Sequence, residues 1–411
     1  MSVFPSAVDR LSIIVRMDKK IALLAALVST AVHASSATGR SPAALDDVLR
    51  SAVQQRRVPG AVAMVATSDG VVYRGAFGFD KDAIFSIASM TKPVTSVAVM
   101  QLVEAGKVKL DEPATTYLPE LATVQVLEGG TLRPPKAPPT VRHLLTHTAG
   151  FGYEFLNKEL FDYAAQGRMP RITSGGDGFM KAPMVFDPGT RWEYGINIDW
   201  LGRLVEKVSG LSLEDYFQQR IFGPLGMKDT WFNVPPGKQA RMVSVYTRAE
   251  DGTLVAAPRP APSPVRFFSG GGGLHCTAED YLTFTRAIMA GGRLGERRIL
   301  RPESVALMAR NQIGDLPLRK MPSMMPQLAR DGAEIPGRPD KFGFGFALNT
   351  RPLDGGRGAD TLSWAGIFNT FFWIDRDKGV CAVVLTQMLP FLEPGPEALV
   401  NDFDRAVYAW R

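Results

Sequence analysis

A lysine one helical turn away can activate a serine, and Ser89-Met90-Thr91-Lys92 is the one Ser-x-x-Lys match in the chain. Three residues apart on a helix, the hydroxyl and the ammonium point the same way. The pattern alone is weak, because 21 Ser and 15 Lys in a chain this long meet at that spacing roughly once by chance. Context strengthens it. Pro93 suits the first turn of a helix, and Val94–Val103 is mostly apolar, with no charge before Glu104. Lys92 therefore sits at the start of a buried helix, where an unpaired ammonium is costly. A lysine that snorkels to the surface is the alternative. The usual Gly-x-Ser-x-Gly elbow is absent, its nearest approach being Gly210-Leu-Ser-Leu-Glu214, and outside the leader the chain offers only His143, His147 and His275 for a histidine-based triad.

A Ser-Lys pair also needs a second proton-transfer group and donors for an oxyanion. Tyr194, in Trp192-Glu193-Tyr194-Gly195-Ile196-Asn197, follows Asp187-Pro188-Gly189 and so falls in a loop that opens the next helix. A phenolate near two ammonium-like donors can accept the serine proton, because neighbouring positive charge lowers a tyrosine pKa; the alternative is an ordinary loop tyrosine. Ser363-Trp364-Ala365-Gly366-Ile367 stands between two strand-like runs, and its small residues let backbone N–H groups approach a ligand.

These segments must be held by distant parts of the chain. A helix is predicted over Ser41–Val53, capped by Ser41, with Pro42 at its first position. The runs Ala61–Thr67 and Val71–Phe77 around Ser68-Asp69-Gly70 read as a β-hairpin. Phe342–Asn349, Thr361–Gly366, Thr370–Asp375 and Gly379–Gln387 read as strands, and Pro396–Trp410 as a closing helix. Between them, residues 111–264 alternate helical stretches (Val141–Thr146, Asn197–Ser209, Leu213–Phe222) with Pro/Gly-rich loops. The expected architecture is α/β in the α+β sense. One antiparallel sheet drawn from both chain ends, residues 41–110 and 265–411, is flanked by helices, with a helical lobe (111–264) inserted and a cleft between them.

Composition fits such an enzyme. Of 411 residues, 45% are apolar and 21% charged, and the 40 Gly and 30 Pro are dispersed, which excludes disordered, collagen-like, coiled-coil and multi-span membrane classes. The net charge of +6 falls to +4 without residues 1–34, and no basic run of five occurs, so no nucleic-acid footprint is expected. Cys276 and Cys381 exclude a disulfide-dense scaffold and read as two buried thiols, the alternative being a single bridge in an exported chain. Met17-Asp18-Lys19-Lys20, the apolar stretch Ile21–Val32 and the small residues after it describe a secretory signal peptide, with Met17 as a candidate start. The stretch is too short to span a bilayer. A periplasmic or secreted protein is expected, the alternative being a cytoplasmic one with an amphipathic N-terminal helix.

Taken together, Ser89-Met-Thr-Lys92, Tyr194 and Trp364-Ala365-Gly366 resemble the three-motif set of the class C β-lactamase and penicillin-binding-protein fold, and more closely the family VIII carboxylesterases that use it. Leu144-Leu-Thr-His-Thr-Ala-Gly150, Phe186-Asp-Pro-Gly-Thr190, Pro224-Leu-Gly-Met227, Gly270–Leu274 and Phe371-Phe-Trp-Ile-Asp375 support the resemblance, which covers about residues 41–411. It implies Ser89 as nucleophile, Lys92 as its activator, Tyr194 as general base and then acid, an oxyanion hole from the N–H groups of Ser89 and Ile367, and no cofactor. Two departures matter. Ile196 replaces the asparagine of Tyr-x-Asn, and Trp364 replaces the lysine of Lys-Thr-Gly, which in lactamases helps bind a carboxylate. An indole favours uncharged acyl esters instead. Ala365 departs mildly from the Trp-Gly-Gly of the esterases.

The expected function is therefore hydrolysis of short-chain carboxylic esters through an acyl-enzyme on Ser89, the partner being a small-molecule ester. Trp364, Ala365, Gly366, Phe151, Tyr153 and Trp192 are the candidate substrate-binding residues. The alternatives are a β-lactamase, D-amino-acid peptidase, amide hydrolase or acyltransferase on the same machinery, or a catalytically silent ligand-binding protein. His143 and His147 have a helical metal-ligand spacing, but the Glu that zinc peptidases place after the first His is absent. The resemblance makes this stretch structural, with His147 hydrogen-bonded in the loop. The long segments Gln166–Pro183 and Asp315–Asp340, the latter with Met321, Met324 and Met325, read either as lids or binding loops or as surface excursions.

Overall fold

The computed structural model describes residues 42–258, 264–332 and 334–410. The expected signal peptide lies outside these residues, as does the expected cap Ser41. Helix α1 (Ala43–Gln54) starts one residue later than expected, with Pro42 at the N-cap rather than inside the first turn. Strands β1 (Ala61–Thr67) and β2 (Gly70–Phe77) form the predicted hairpin, Thr67 lying opposite Gly70 across a two-residue loop. Helix α2 (Thr91–Glu104) follows, entered through a 3-10 turn at Ala88–Met90. Helices α3 (Val141–Leu145), α4 (Asn197–Ser209) and α5 (Ala278–Met289) come next. The C-terminal part supplies β3 (Lys341–Phe342), β4 (Ala347–Asn349), β5 (Thr361–Gly366), β6 (Thr370–Asp375), β7 (Val380–Leu385) and α6 (Pro394–Trp410).

The main sheet has the order β3-β4-β5-β6-β7-β1-β2, every neighbouring pair being antiparallel. The first strand thus pairs with the last, Val62 opposite Leu385 and Thr67 opposite Val380. Strands β1 and β5–β7 are buried along their whole length because both faces are covered. Ala61, Ala63 and Val65 pack with Trp373, Val384, Leu49, Phe403 and Val407 under α1 and α6. The alternate residues Val62, Met64, Phe372 and Val383 belong to the larger core with Tyr281 and Phe284 of α5 and Val94 and Val97 of α2.

Three details differ from the sequence expectation. The predicted strand Phe342–Asn349 is broken into β3 and β4 because Gly345 takes a left-handed turn, φ +82°, with its Cα close against Ser96 and no space for a Cβ. Leu213–Phe222 is a five-residue helix continued by a π-turn. The stretch 111–264 also carries short hairpins, Val126–Glu128 with Thr131–Arg133 and Tyr246–Arg248 with Leu254–Ala256. Cys276 and Cys381 are both buried free thiols. Among the described residues no helix is long and apolar enough to cross a membrane.

Candidate active site

Ser89 stands in the 3-10 turn that opens α2, and Lys92 in the first turn of the helix proper. Ala88 enters the turn at φ +42°, a conformation that costs a non-glycine residue about 1–3 kcal/mol and clusters at functional sites. Lys92 does not snorkel: it is 1% exposed. Its Nζ donates to Ser89 Oγ at 3.1 Å, to Tyr153 Oη at 3.0 Å and to the Gly271 carbonyl at 2.6 Å. Three acceptors match the three protons of an ammonium.

Tyr194 arrives on the loop before α4, its ring centroid 4.7 Å from Lys92 Nζ. Its hydroxyl accepts from Trp364 Nε1 at 3.3 Å, and the two rings lie 4.9 Å apart. The phenol therefore meets Lys92 through its face and Trp364 through its oxygen. Trp364 is at once an apolar wall and a hydrogen-bond donor, a role its replacement of lysine did not suggest. Tyr153 is the phenol whose hydroxyl is hydrogen-bonded to Lys92. Burial first, then the charge of Asp199, pushes its hydroxyl well above the ordinary tyrosine range, so it is a neutral phenol at Lys92.

The loop carrying Tyr194 is tied down from both sides. His147 is fully buried, and its backbone carbonyl accepts from Glu193 N–H at 2.9 Å. Its Nδ1 lies 3.0 Å from Asn197 Nδ2 and 3.4 Å from Gly195 N, an acceptor position. Burial, helped by the charge of Lys92, holds the imidazole well below its ordinary value and hence neutral. His143 Nδ1 accepts from Thr140 N–H in a capping box. Helix α3 ends at Leu145 and His147 takes φ +58°, so the two histidines share no helical face.

Upstream, Asp187 accepts both terminal nitrogens of Arg133 at 2.9 Å each and Lys136 N–H at 2.9 Å. Those bonds, Arg133 foremost, lower its carboxyl from 3.8 to about 2. A depressed carboxyl contributes stability above its unfolded value that is lost as pH falls through the folded one. Asp187→Asn is therefore expected to lower Tm at neutral pH and to flatten its decline between about pH 4 and 2, as read by thermal melts across that window.

Ser89, Tyr194, Tyr153, Trp364, Ala365, Gly366 and Ile367 line one cavity of about 330 Å³. A Cβ on Gly366 would stand 2.3 Å from the Ile87 carbonyl, so only glycine lets the end of β5 lie against the backbone entering the Ser89 turn. Ile367, the next residue, is thereby brought to the same wall as Ser89. Two expected pocket residues are not there. Phe151 is fully buried against Trp200, its carbonyl bound by Asn197. Trp192 is 1% exposed, packs on His147 and Phe342, and faces a separate polar hollow. The cavity walls come instead from Phe155, Ile172, Phe179, Met321, Leu328 and Phe391. Four of these belong to the long segments 166–183 and 315–340, so the loop lengths were the signal that could have found them.

Architecture and site together define a serine hydrolase of the β-lactamase and transpeptidase type. The family model described as Beta-lactamase matches residues 45–406, and the chain belongs to that family. Monacolin J acid methylbutanoyltransferase of Aspergillus terreus is 31% identical over 401 residues, covering 89% of this chain and 95% of that protein. Lovastatin esterase of Penicillium rubens is 30% identical, covering 89% and 99%. The unliganded structure of simvastatin synthase from Aspergillus terreus superposes with a TM-score of 0.77 at 30% identity, covering 90% of this chain and 98% of that one.

Proposed function

We propose that the chain cleaves uncharged carboxylic esters through an acyl-enzyme on Ser89 and passes the acyl group to water or to an alcohol. The observation that carries this reading is the hydrogen bond from the buried Lys92 ammonium to Ser89 Oγ on the wall of a mostly apolar cavity. As Oγ attacks the ester carbonyl carbon, its proton passes to Tyr194, which acts as a phenolate beside the Lys92 ammonium and becomes a phenol, while the N–H groups of Ser89 and Ile367 receive the developing oxyanion. The C–O bond to the alcohol then breaks, and Tyr194 returns the proton to the leaving oxygen. Water or a second alcohol gives its proton to Tyr194, attacks the acyl carbon, and releases the acid or a new ester with Ser89 restored. In the structure the Tyr194 oxygen is engaged by Trp364 Nε1. Catalytic hydrogen bonds are commonly long before substrate binds.

Transfer to an alcohol draws support from the similarity to a methylbutanoyltransferase and from the apolar cavity lining, which disfavours water. Hydrolysis draws equal support from the similarity to an esterase. A β-lactam carboxylate would meet the Trp364 indole in place of an ammonium. On p-nitrophenyl butyrate and a chromogenic cephalosporin, the ester is expected to turn over at least about 100-fold faster, the scale of one lost charged contact. Faster cephalosporin turnover would overturn the ester reading. Including a primary alcohol in the ester assay and quantifying acid against new ester measures the split between the two acceptors. Mass spectrometry after a fluorophosphonate probe is expected to find the label on Ser89.

A further inference from the structure

Among the described residues no carboxylate contacts Lys92, although it is an almost fully buried cation. The acid facing it is Asp199, in the first turn of α4 and 1% exposed. Asp199 Oδ1 accepts from Ser269 Oγ at 2.6 Å and from Gly271 N–H at 3.1 Å. The carbonyl of the same Gly271 accepts the Lys92 ammonium at 2.6 Å. One residue thus bridges the acid to the cation. The bridge is built for closeness: a Cβ on Gly271 would stand 2.2 Å from Asp199 Oδ2, and one on Gly270 would meet the Ile198 carbonyl at 2.8 Å and Gly202 Cα at 3.0 Å. Thr95 Oγ1 of α2 also donates to the Gly270 carbonyl at 2.7 Å, so α2 and α4 grip the strap between them.

Oδ2 is buried without a hydrogen-bond partner, so the charge of Asp199 is satisfied on one oxygen only. The ionisable groups that act on it are Lys92 on α2 and Tyr153 on the segment after α3, and Tyr153 in turn faces Tyr194 and Glu154. Glu154 is engaged by Ile172 N–H, Tyr153 is a neutral phenol, and His147 beyond Lys92 is neutral. Burial outweighs the opposing pull of Lys92 and the two hydrogen bonds, so the Asp199 carboxyl stands above its ordinary value.

We propose that Asp199 is a positioning residue that acts through the Gly271 bridge as the counter-charge of Lys92, holding the ammonium on Ser89 and setting the pH range in which the site works. This inference rests on the reading of Ser89, Lys92 and Tyr194 given above. Without the negative charge, the site as a whole holds its protons less tightly. In Asp199→Asn both limbs of the pH profile of kcat/KM on p-nitrophenyl butyrate are therefore expected to move to lower pH by about one unit, the low end of what a neighbouring charge produces. A purely structural role would lower the rate and leave the limbs in place. That result, with the wild-type chain active and labelled on Ser89, would overturn the role of Asp199 and spare the catalytic reading. Failure to label Ser89 in the wild type would remove both.

Because the variant can fail to fold, the same question is put to the unaltered chain by 13C NMR with labelled aspartate carboxyls. A buried carboxylate that stays ionised across the active pH range is expected. A buried carboxyl that is protonated throughout that range would refute the counter-charge.

Discussion

Replacing Ser89 by alanine is expected to lower turnover of a short-chain p-nitrophenyl ester by about 10⁴-fold or more, with Lys92→Met falling nearly as far and the double variant no further. The reason lies in the geometry of the pair. Lys92 Nζ spends its donors on Ser89 Oγ, Tyr153 Oη and the Gly271 carbonyl, so the hydroxyl and the ammonium act as one unit. Groups that act as a unit show strongly non-additive losses when removed singly. Methionine fills most of the space of the lysine stem but leaves the Gly271 carbonyl and the Tyr153 hydroxyl without their partner, a cost of about 1–3 kcal/mol for each unsatisfied buried group. The Lys92 variant should therefore melt lower than wild type while Ser89→Ala melts close to it. Initial rates alongside thermal melts separate the two effects. Additive losses in the double variant would mean that the two residues do not share one chemical step.

The two phenols beside Lys92 give the second large effect, and they should differ sharply. Tyr194→Phe removes the oxygen proposed to carry the proton both ways, and a general acid–base group contributes about 10²–10⁴-fold. Loss in the upper part of that range is expected, because the same oxygen serves acylation and deacylation. Tyr153→Phe removes a neutral hydroxyl that accepts from Lys92 and transfers no proton, so a loss of about tenfold is expected, equivalent to one ordinary buried hydrogen bond. Steady-state kcat for the two single variants decides between them. If Tyr153→Phe proves the more damaging, the proton passes through the phenol already bound to Lys92, and the assignment to Tyr194 is wrong.

Much of this site was legible before any coordinates, and for unequal reasons. The Ser89–Lys92 spacing is a local property of one helical turn, and the uncharged run Val94–Val103 announced that the turn would be buried. Tyr194, about a hundred residues away in sequence, was no more than a loop candidate until the resemblance to a family gave it a role. The strands β1, β5, β6 and β7 stood out as apolar runs because both their faces are covered. Phe342–Asn349 did not reveal its break, since nothing in the run marks Gly345 as the residue pressed against Ser96. Phe151 and Trp192 show the limit of inference by proximity. An aromatic residue beside a motif is apolar enough to suit either side of its loop, and here both turn inward. Asp199 carried no visible signal, because an acid in the first turn of a helix is usually explained by the helix end alone.

The pairing of β1 with β7 in the middle of the main sheet has a consequence for biogenesis. Its partners are separated by roughly 320 residues of chain, and a contact so remote repays its loop-closure entropy only late. While a ribosome is still making the polypeptide, the hairpin β1–β2 has no neighbour on its inner edge, and Ala61–Thr67 is left as an apolar ribbon with open backbone groups. Assembly of the main sheet must therefore wait until Val380–Leu385 has been made. Truncation before Val380 should give insoluble product in place of a smaller working enzyme.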